Sequence, residues 1–193
     1  MSHYQNRSIW TTDHQTVEVV DQRYLPHQIV IVELKNTEEI FRAIREMWIR
    51  GAPLIGATAA FGYYYAIEEA QSQPDPKAYI QEKFDYLNSA RPTAVNLAWA
   101  LERQRAADQQ QDWESRLQTA WQTALDIVEE DGAICHAIGQ HGLEIIRALA
   151  AKHSDRPIQI LPHCNAGRMA TVAWGTATAP IYLAHEAGIP VHV

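Results

Sequence analysis

Cysteine and basic side chains are scarce in this sequence, and each shortage excludes a class of protein. The two cysteines, Cys135 and Cys164, cannot form a disulfide framework and are typical of a reducing cytoplasm. The 16 lysines and arginines are outnumbered by 23 aspartates and glutamates, so the net charge is −7 and a broad basic surface is not expected. We therefore expect a cytoplasmic protein that does not bind nucleic acid.

Long apolar runs are also missing. The polar residues 1–5 lack the hydrophobic core of a signal peptide. The most apolar stretch, 52–70, is interrupted by two glycines and ends in two glutamates. Because a membrane span needs about 20 predominantly apolar residues, this stretch predicts a buried helix, and we expect no membrane association.

The first part of the chain predicts a small β element followed by a layer of helices. Strand signals rich in β-branched residues occur at 16–20 and 28–34. Helices are predicted from apolar periodicity and end signals at 37–50, 52–70, 75–89, 113–130 and 134–151, with another that opens at Arg91 and stops before the polar stretch 108–112. Gly139 and Gly142 indicate close packing against a neighbouring helix.

A second domain is predicted to begin at residue 155. Its expected elements are a strand at 158–161, an Ala- and Thr-rich helix at 169–186 that stops at Gly188, and a strand at 190–193. Two parallel strands cannot cover their own faces or edges, so we expect the start of an open Rossmann-like sheet that is incomplete in this chain. The predicted fold class is α/β, with domains at 1–154 and 155–193.

Cys164 follows the predicted strand 158–161, where an open parallel sheet usually places its ligand. A thiol just before a helix N-terminus lies near the positive end of the helix dipole, which favours the thiolate. Cys164 is therefore a candidate catalytic residue. The alternative is a buried, unreactive cysteine, which is the commoner state of a lone cysteine.

Two arginines precede predicted helices and are candidates for binding an anion. In Arg50-Gly51-Ala52 the arginine lies beside free N–H groups at a helix start, and Arg91 stands directly before another helix. The commoner meaning of the first pattern is a helix end with a solvated arginine, and of the second a surface arginine. Arg23, in a turn, either pairs with Asp21 or contacts substrate.

No metal or nucleotide cofactor is predicted. The three adjacent acids 129–131 do not share a helix face, and no His or Cys lies at a matching spacing, so a solvated run of charge is expected. Cys135, His136 and His141 form no coherent ligand set and are assigned structural roles. The turn 164–167 lacks the glycine pattern of a dinucleotide site.

Short motifs are spread over nearly the whole chain from residue 8. They are Ser8-Ile9-Trp10, Asp21-Gln22-Arg23-Tyr24-Leu25-Pro26, Ile49-Arg50-Gly51-Ala52-Pro53-Leu54-Ile55-Gly56, Arg91-Pro92-Thr93-Ala94-Val95-Asn96-Leu97, His163-Cys164-Asn165-Ala166-Gly167, Ala170-Thr171 and Trp174-Gly175-Thr176-Ala177. Together they resemble the methylthioribose-1-phosphate isomerase family. That family also includes ribose bisphosphate isomerases and is related to the regulatory subunits of the initiation factor 2B exchange factor.

The resemblance implies an S-methyl-5-thioribose-1-phosphate isomerase, which interconverts an aldose 1-phosphate and a ketose 1-phosphate in methionine salvage. It implies that Cys164 is catalytic and that Arg50, Gly51, Ala52 and Arg91 bind the substrate phosphate. It also implies a cytoplasmic homodimer that uses neither a metal nor a nicotinamide cofactor.

Three alternatives bear on this interpretation. A non-catalytic regulatory subunit of the initiation factor 2B type is disfavoured by the intact motifs around Cys164 and Arg50. A cysteine hydrolase is disfavoured because its candidate base, His163, is adjacent to Cys164, and neighbouring side chains on a strand point to opposite faces. Within the isomerases, Arg168-Met169 replaces residues that are small and apolar in many members, so deoxyribose or ribose bisphosphate stays open as the substrate.

Family members are longer than this chain. After the strand at 190–193 they continue with a Glu-Thr-Arg-Pro stretch, an Asp-Asn motif that supplies the catalytic aspartate, and an Asn-Lys pair. None of these motifs has a counterpart in the 193 residues. We therefore expect the N-terminal part of such an enzyme, inactive alone, and either paired with its C-terminal half or self-associated through an open sheet edge.

Overall fold

The computed structural model describes residues 7–13, 16–109, 112–153 and 155–193. The strands in these ranges are β1 (Ile9–Thr11), β2 (Val17–Val20), β3 (Ile31–Leu34), β4 (Ile158–Gln159) and β5 (Val191–His192). The helices are α1 (Thr37–Arg45), α2 (Ala52–Ala70), α3 (Pro76–Ser89), α4 (Val95–Ala107), α5 (Trp113–Lys152) and α6 (Ala179–Glu186). The predicted α/β class is confirmed, and the fold is mostly helical.

Strands β1, β2 and β3 form an antiparallel sheet in that order. Ile9 lies opposite Val19, which in turn lies opposite Val32, so side chains at alternate positions share one face. Ile9, Val17 and Val19 are fully buried on the face that meets the helices. The strand signals in the sequence are therefore confirmed, with shorter bounds.

Helix α2 lies at the centre of the helical layer, where it contacts α1, α3, α4 and α5. Most of its 19 residues are buried around the full circumference, which explains its apolar composition. At Gly56 a Cβ atom would lie 2.8 Å from the backbone oxygen of Asn96, so only glycine lets α4 begin this close to α2. The predicted buried helix is confirmed. None of the helices in the described ranges combines the length and apolar character that a bilayer crossing requires.

Helix α5 corrects the prediction of two helices at 113–130 and 134–151. It is a single helix of 40 residues, about 60 Å long at 1.5 Å per residue. Its buried positions continue through Val128, Cys135 and Gly139, so burial of this face outweighs the acids and Gly132 that suggest a break. A Cβ at Gly139 would lie 2.9 Å from the Cβ of Ala179, which confirms the predicted close packing, here against α6.

Two predicted helix ends also need correction. Helix α1 stops at Arg45 rather than Arg50, because Met47 takes a left-handed conformation with φ of 58°. Helix α4 starts at Val95, without a side-chain cap, rather than at Arg91. By contrast, α3 has the predicted bounds, and the carboxylate of Asp75 accepts a hydrogen bond from the Ala78 amide at 3.0 Å.

Strands β4 and β5 pair in parallel, with Ile158 beside Val191, and α6 forms the crossover between them. A small hydrophobic cluster joins α5, α6 and these strands. The predicted helix at 169–186 is wrong in its first half: a single 3-10 turn spans Arg168–Ala170, and α6 begins only at Ala179. The boundary at residue 154 stays a prediction, and Ser154 lies outside the described residues.

Candidate active site

The segment between β4 and α6, residues 162–178, contains Cys164 and crosses the N-terminus of α2; we call it the Cys164 loop. The two segments pack closely at Gly51, where a Cβ would lie 2.2 Å from the backbone oxygen of Ala170. Gly51 also has a φ of 99°, which favours glycine. The structure therefore brings the Arg50-Gly51-Ala52 junction and the Cys164 loop together.

Hydrogen bonds from three other parts of the chain hold the Cys164 loop. The amide of Ser8 donates to the Val172 oxygen at 2.8 Å, and its hydroxyl donates to the Arg168 oxygen at 3.0 Å. The side-chain amide of Gln22 donates to the Met169 oxygen at 2.6 Å. From α5, the carboxylate of Asp131 accepts the Val172 N–H at 2.7 Å. The loop is irregular but tethered at several points.

Cys164 itself is exposed, so the buried position expected in the alternative interpretation is wrong, and the catalytic role of Cys164 stays a prediction. Its φ of 65° places it in a tight turn. The argument from the helix dipole does not apply, since only the short 3-10 turn at Arg168–Ala170 follows and α6 starts at Ala179. Further along the loop, the Ala177 amide donates to the Ala166 oxygen at 3.0 Å and closes the turn region on the start of α6.

The other cysteine has the opposite environment. Cys135 lies on α5 and is 1% exposed. Burial, together with the nearby Asp131 carboxylate, raises the pKa of the Cys135 thiol to about 11. The structural role predicted for Cys135 is consistent with this position in the core.

Arg50 is exposed, and its guanidinium donates to the backbone oxygen of Gln22 at 3.2 Å. Arg91 is half-buried in the connection before α4. Arginines that form ion pairs with carboxylates are Arg7, Arg23, Arg42, Arg103, Arg105, Arg116 and Arg147. Within the described part of the chain neither Arg50 nor Arg91 is paired in this way, so both keep an uncompensated charge.

The structure relates Arg91 to the site less directly than Arg50. The Ala94 amide donates to the Arg91 oxygen at 2.9 Å, which forms a turn just before α4. Through Asn96 and Gly56, the start of α4 lies against the first turns of α2. Among the described residues, no hydrogen bond or ion pair links the Arg91 side chain to Arg50 or to the Cys164 loop.

Arg23, the third arginine considered, is held by its neighbour. Its guanidinium donates to both carboxylate oxygens of Asp21, at 2.7 Å for the closest pair, and it stacks over the ring of Trp48. Asp21 is 1% exposed, so this ion pair is well fixed. The pairing interpretation is therefore confirmed for Arg23.

The acids 129–131 do not form one solvated run. Glu129 pairs with Arg7 and Glu130 with Arg103, whereas Asp131 points inward to the Val172 amide. Burial raises the pKa of Asp131, although the hydrogen bond from Val172 opposes this shift. Successive helix residues point about 100° apart, which explains the three different environments. The described residues include no group of three or more His, Cys, Asp or Glu side chains suited to a metal ion.

Behind the Cys164 loop, a cavity of about 830 Å³ opens between α5 and α6. Its walls include His136 and Trp174, whose rings are in contact, with centroids 5.0 Å apart and planes tilted by 51°. Cys164 does not line this cavity. His136 therefore packs against the back of the loop, as the structural role assigned to it predicts.

Ser8, Gln22 and Asp131 are the residues of this site that the sequence did not single out. Ser8 and Gln22 lie within the quoted motifs, but their roles depend on contacts with the Cys164 loop almost 150 residues or more away in sequence. For Asp131, the sequence contains one signal that this residue faces the core. It is the only one of the three acids in helical register with the buried Val128 and Cys135, at spacings of three and four residues.

Comparison with known proteins identifies the family. The model of the initiation factor 2 subunit family matches residues 48–193. A methylthioribose-1-phosphate isomerase of Rhizobium meliloti (strain 1021) is 47% identical over 99% of this chain and 51% of its own length. One of Escherichia coli O45:K1 is 45% identical over 99% of this chain and 50% of its own length. The chain thus spans about half the length of the curated relatives it matches.

Two solved structures share the fold. The 5-methylthioribose 1-phosphate isomerase of Pyrococcus horikoshii OT3 is 29% identical, with a TM-score of 0.81 over 97% of this chain and 51% of that one. The translation initiation factor eIF-2B subunit delta of A. fulgidus is 32% identical, with a TM-score of 0.81 over 98% of this chain and 54% of that one. The match over residues 48–193 and the shared fold show that the chain belongs to the initiation factor 2 subunit family.

Proposed function

We propose that this chain supplies the Cys164 side of an isomerase that converts S-methyl-5-thioribose 1-phosphate to the corresponding ketose 1-phosphate. The observation that carries the proposal is the close packing of Gly51 on Ala170, which sets an uncompensated arginine and a helix N-terminus beside the loop of an exposed cysteine. The relatives named methylthioribose-1-phosphate isomerase support the same reaction.

The chemistry explains why such a site needs a proton-handling group. Phosphate on the anomeric oxygen prevents the sugar ring from opening spontaneously to an aldehyde. An acid has to protonate the ring oxygen, and one hydrogen has to move from the second carbon to the first. Substrate and product are isomers, so the reaction needs no net oxidant or reductant. We assign Cys164 to take the proton from the second carbon, or to exclude water during a direct hydride shift.

The phosphate is proposed to bind at the start of α2. This helix has 19 residues, and its first N–H groups lack intrahelical partners. The amides of Gly51 and Ala52, the exposed guanidinium of Arg50, and Arg91 near the start of α4 are the proposed contacts. Assembly as a homodimer, a C-terminal half that completes the enzyme, and a cytoplasmic location remain predictions.

Turnover can be tested in a fusion of residues 1–193 to the second half of the R. meliloti relative, which we call the fusion enzyme. We expect it to convert methylthioribose 1-phosphate to the ketose, because residues 1–193 would replace the half of the relative that they match and supply its functional groups. Proton NMR of the sugar measures the conversion. The second half of the relative expressed alone is the control.

A folded fusion enzyme that converts ribose 1,5-bisphosphate but not methylthioribose 1-phosphate would contradict the substrate assignment. A non-catalytic regulatory role is the second candidate function, because the solved structure of eIF-2B subunit delta has the same fold. A fusion enzyme that binds the sugar phosphate without converting it, beside an active full-length relative, would favour that role.

Arg91→Lys in the fusion enzyme tests the phosphate assignment. Lysine keeps the charge but loses the planar fork that binds two phosphate oxygens, so we expect KM to rise about ten- to a hundredfold with little change in kcat. Arg156→Lys serves as the control and should leave KM unchanged, because Arg156 is an exposed arginine just before β4 and is not among the proposed phosphate contacts. An Arg91→Lys enzyme with the parent KM would show that Arg91 does not bind the phosphate.

A further inference from the structure

Gln22 connects the two parts of the proposed site and has no role assigned by the motif in which it stands. It follows β2 and is 2% exposed. Three of its polar groups form hydrogen bonds: its backbone N–H donates to the Trp48 oxygen at 2.7 Å, its backbone carbonyl accepts from Arg50 at 3.2 Å, and its side-chain amide donates to the Met169 oxygen at 2.6 Å. Gln22 thus contacts the Arg50 junction through its backbone and the Cys164 loop through its side chain.

The geometry of these bonds fixes the distance between the two segments. Trp48 lies two residues before Arg50, so the bond to its oxygen fixes the chain that leads into the junction. Met169 precedes Ala170, the residue that packs on Gly51. Gln22 thus bonds to the Arg50 guanidinium, to the backbone that carries it, and to the middle of the Cys164 loop.

The backbone at Gln22 is itself held firmly. The amide of Asp21 donates to the Val30 oxygen at 2.8 Å, and the Asp21 carboxylate is paired with Arg23. Gln22 therefore lies just beyond the end of the central strand β2 and has a fixed backbone position. A freely moving side chain could not keep the loop at a fixed distance from Arg50.

We infer that Gln22 is a positioning residue that holds Arg50 and the Cys164 loop at the separation the reaction requires. The inference rests on the proposed function in its kinetic part, but the mechanical link stands on the hydrogen bonds alone. Loss of the side-chain donor frees Met169 and loosens the middle of the loop. The backbone bonds of Gln22 to Trp48 and Arg50 stay in place, so the loop moves relative to the Arg50 junction.

Gln22→Met tests the link because methionine keeps the length of the side chain and lacks the donor. In the 193-residue chain, hydrogen–deuterium exchange should accelerate about tenfold at the amides of Ala170 and Val172. Exchange in α3, which is remote from Gln22, should stay at the parent rate. Gln28→Leu is the matched control, since Gln28 is an exposed glutamine of the same hairpin, and it should change neither region.

The fusion enzyme supplies a readout that a purely structural role would not move. Gln22→Met should raise KM and lower kcat, each about tenfold, whereas a variant that only unfolds a fraction of the molecules lowers kcat and leaves KM unchanged. In a double-mutant cycle, Gln22→Met should add little to the KM of Arg50→Met, because both changes remove the same alignment.

Two outcomes would overturn the inference. One is unchanged exchange at Ala170 and Val172 in Gln22→Met; the other is an equal acceleration throughout the chain, which indicates general destabilisation. If the fusion enzyme were inactive with Gln22 in place, the proposed function would fail while the exchange experiment would still decide the mechanical link.

Discussion

Cys164→Ser is expected to lower kcat of the fusion enzyme by about 100- to 10,000-fold, the range typical for loss of a general acid or base. Serine occupies nearly the same volume, but its hydroxyl is a far weaker acid than a thiol. The phosphate contacts stay in place, so KM should change by less than about threefold if binding is fast relative to chemistry. Steady-state kinetics with methylthioribose 1-phosphate measure both quantities.

Cys135→Ala is the matched control for this prediction. Cys135 is buried on α5 at 1% exposure, so its thiol is not accessible to a substrate, and kcat should stay within a few-fold of the parent value. The catalytic assignment of Cys164 would be refuted by a Cys164→Ser enzyme that keeps its turnover. Equal losses in both variants would point to loop packing rather than proton transfer.

Gly51→Ala should be the most damaging change to stability among the residues of the site. The added Cβ would lie 2.2 Å from the oxygen of Ala170 and 2.3 Å from its Cα, and both are backbone atoms that cannot move aside alone. The φ of 99° is also strained for alanine. We expect the free energy of unfolding to fall by about 2–6 kcal/mol, from about 1–3 kcal/mol each for backbone strain and overpacking.

Urea unfolding followed by far-UV circular dichroism measures this loss, and Gly132→Ala provides the control. Gly132 lies within α5 and a Cβ there would meet nothing within 4 Å. Alanine favours a helix over glycine, so this variant should be more stable by about 0.5–1 kcal/mol. If Gly51→Ala unfolded at the same urea concentration as the parent, the close packing of α2 on the Cys164 loop would be wrong.

Local signals in the sequence were sufficient for several elements. Asp75 followed by Pro76 predicted the start of α3, because an aspartate cap and a proline in the first turn act only on neighbouring atoms. Gly139 and Gly142 predicted a helix contact, and the apolar run before Pro162 predicted β4. The motifs around Cys164 and Arg50 pointed to the family that the comparisons show.

The errors arose where distant contacts outweigh local preference. Residues 169–178 are rich in Ala and Thr and resemble a helix, yet Trp174 and Gly175 have positive φ values of 69° and 76°. Thr171 and Thr178 direct their hydroxyls to loop backbone oxygens, and Ser8 and Asp131 bind Val172 from elsewhere in the chain. The same effect joins two predicted helices into α5, whose continuous buried face outweighs Gly132.

The sequence by itself determined the class of fold, the family resemblance and the residue types at the proposed site, because these depend on short-range propensities and on motifs. Tertiary structure alone decided that Gly51 meets Ala170, that Gln22 bridges Arg50 and Met169, and that Cys164 is exposed in an irregular loop. Each of these depends on the approach of segments far apart in the chain. A local sequence pattern does not predict such contacts, because their hydrogen bonds form only when the whole core has assembled.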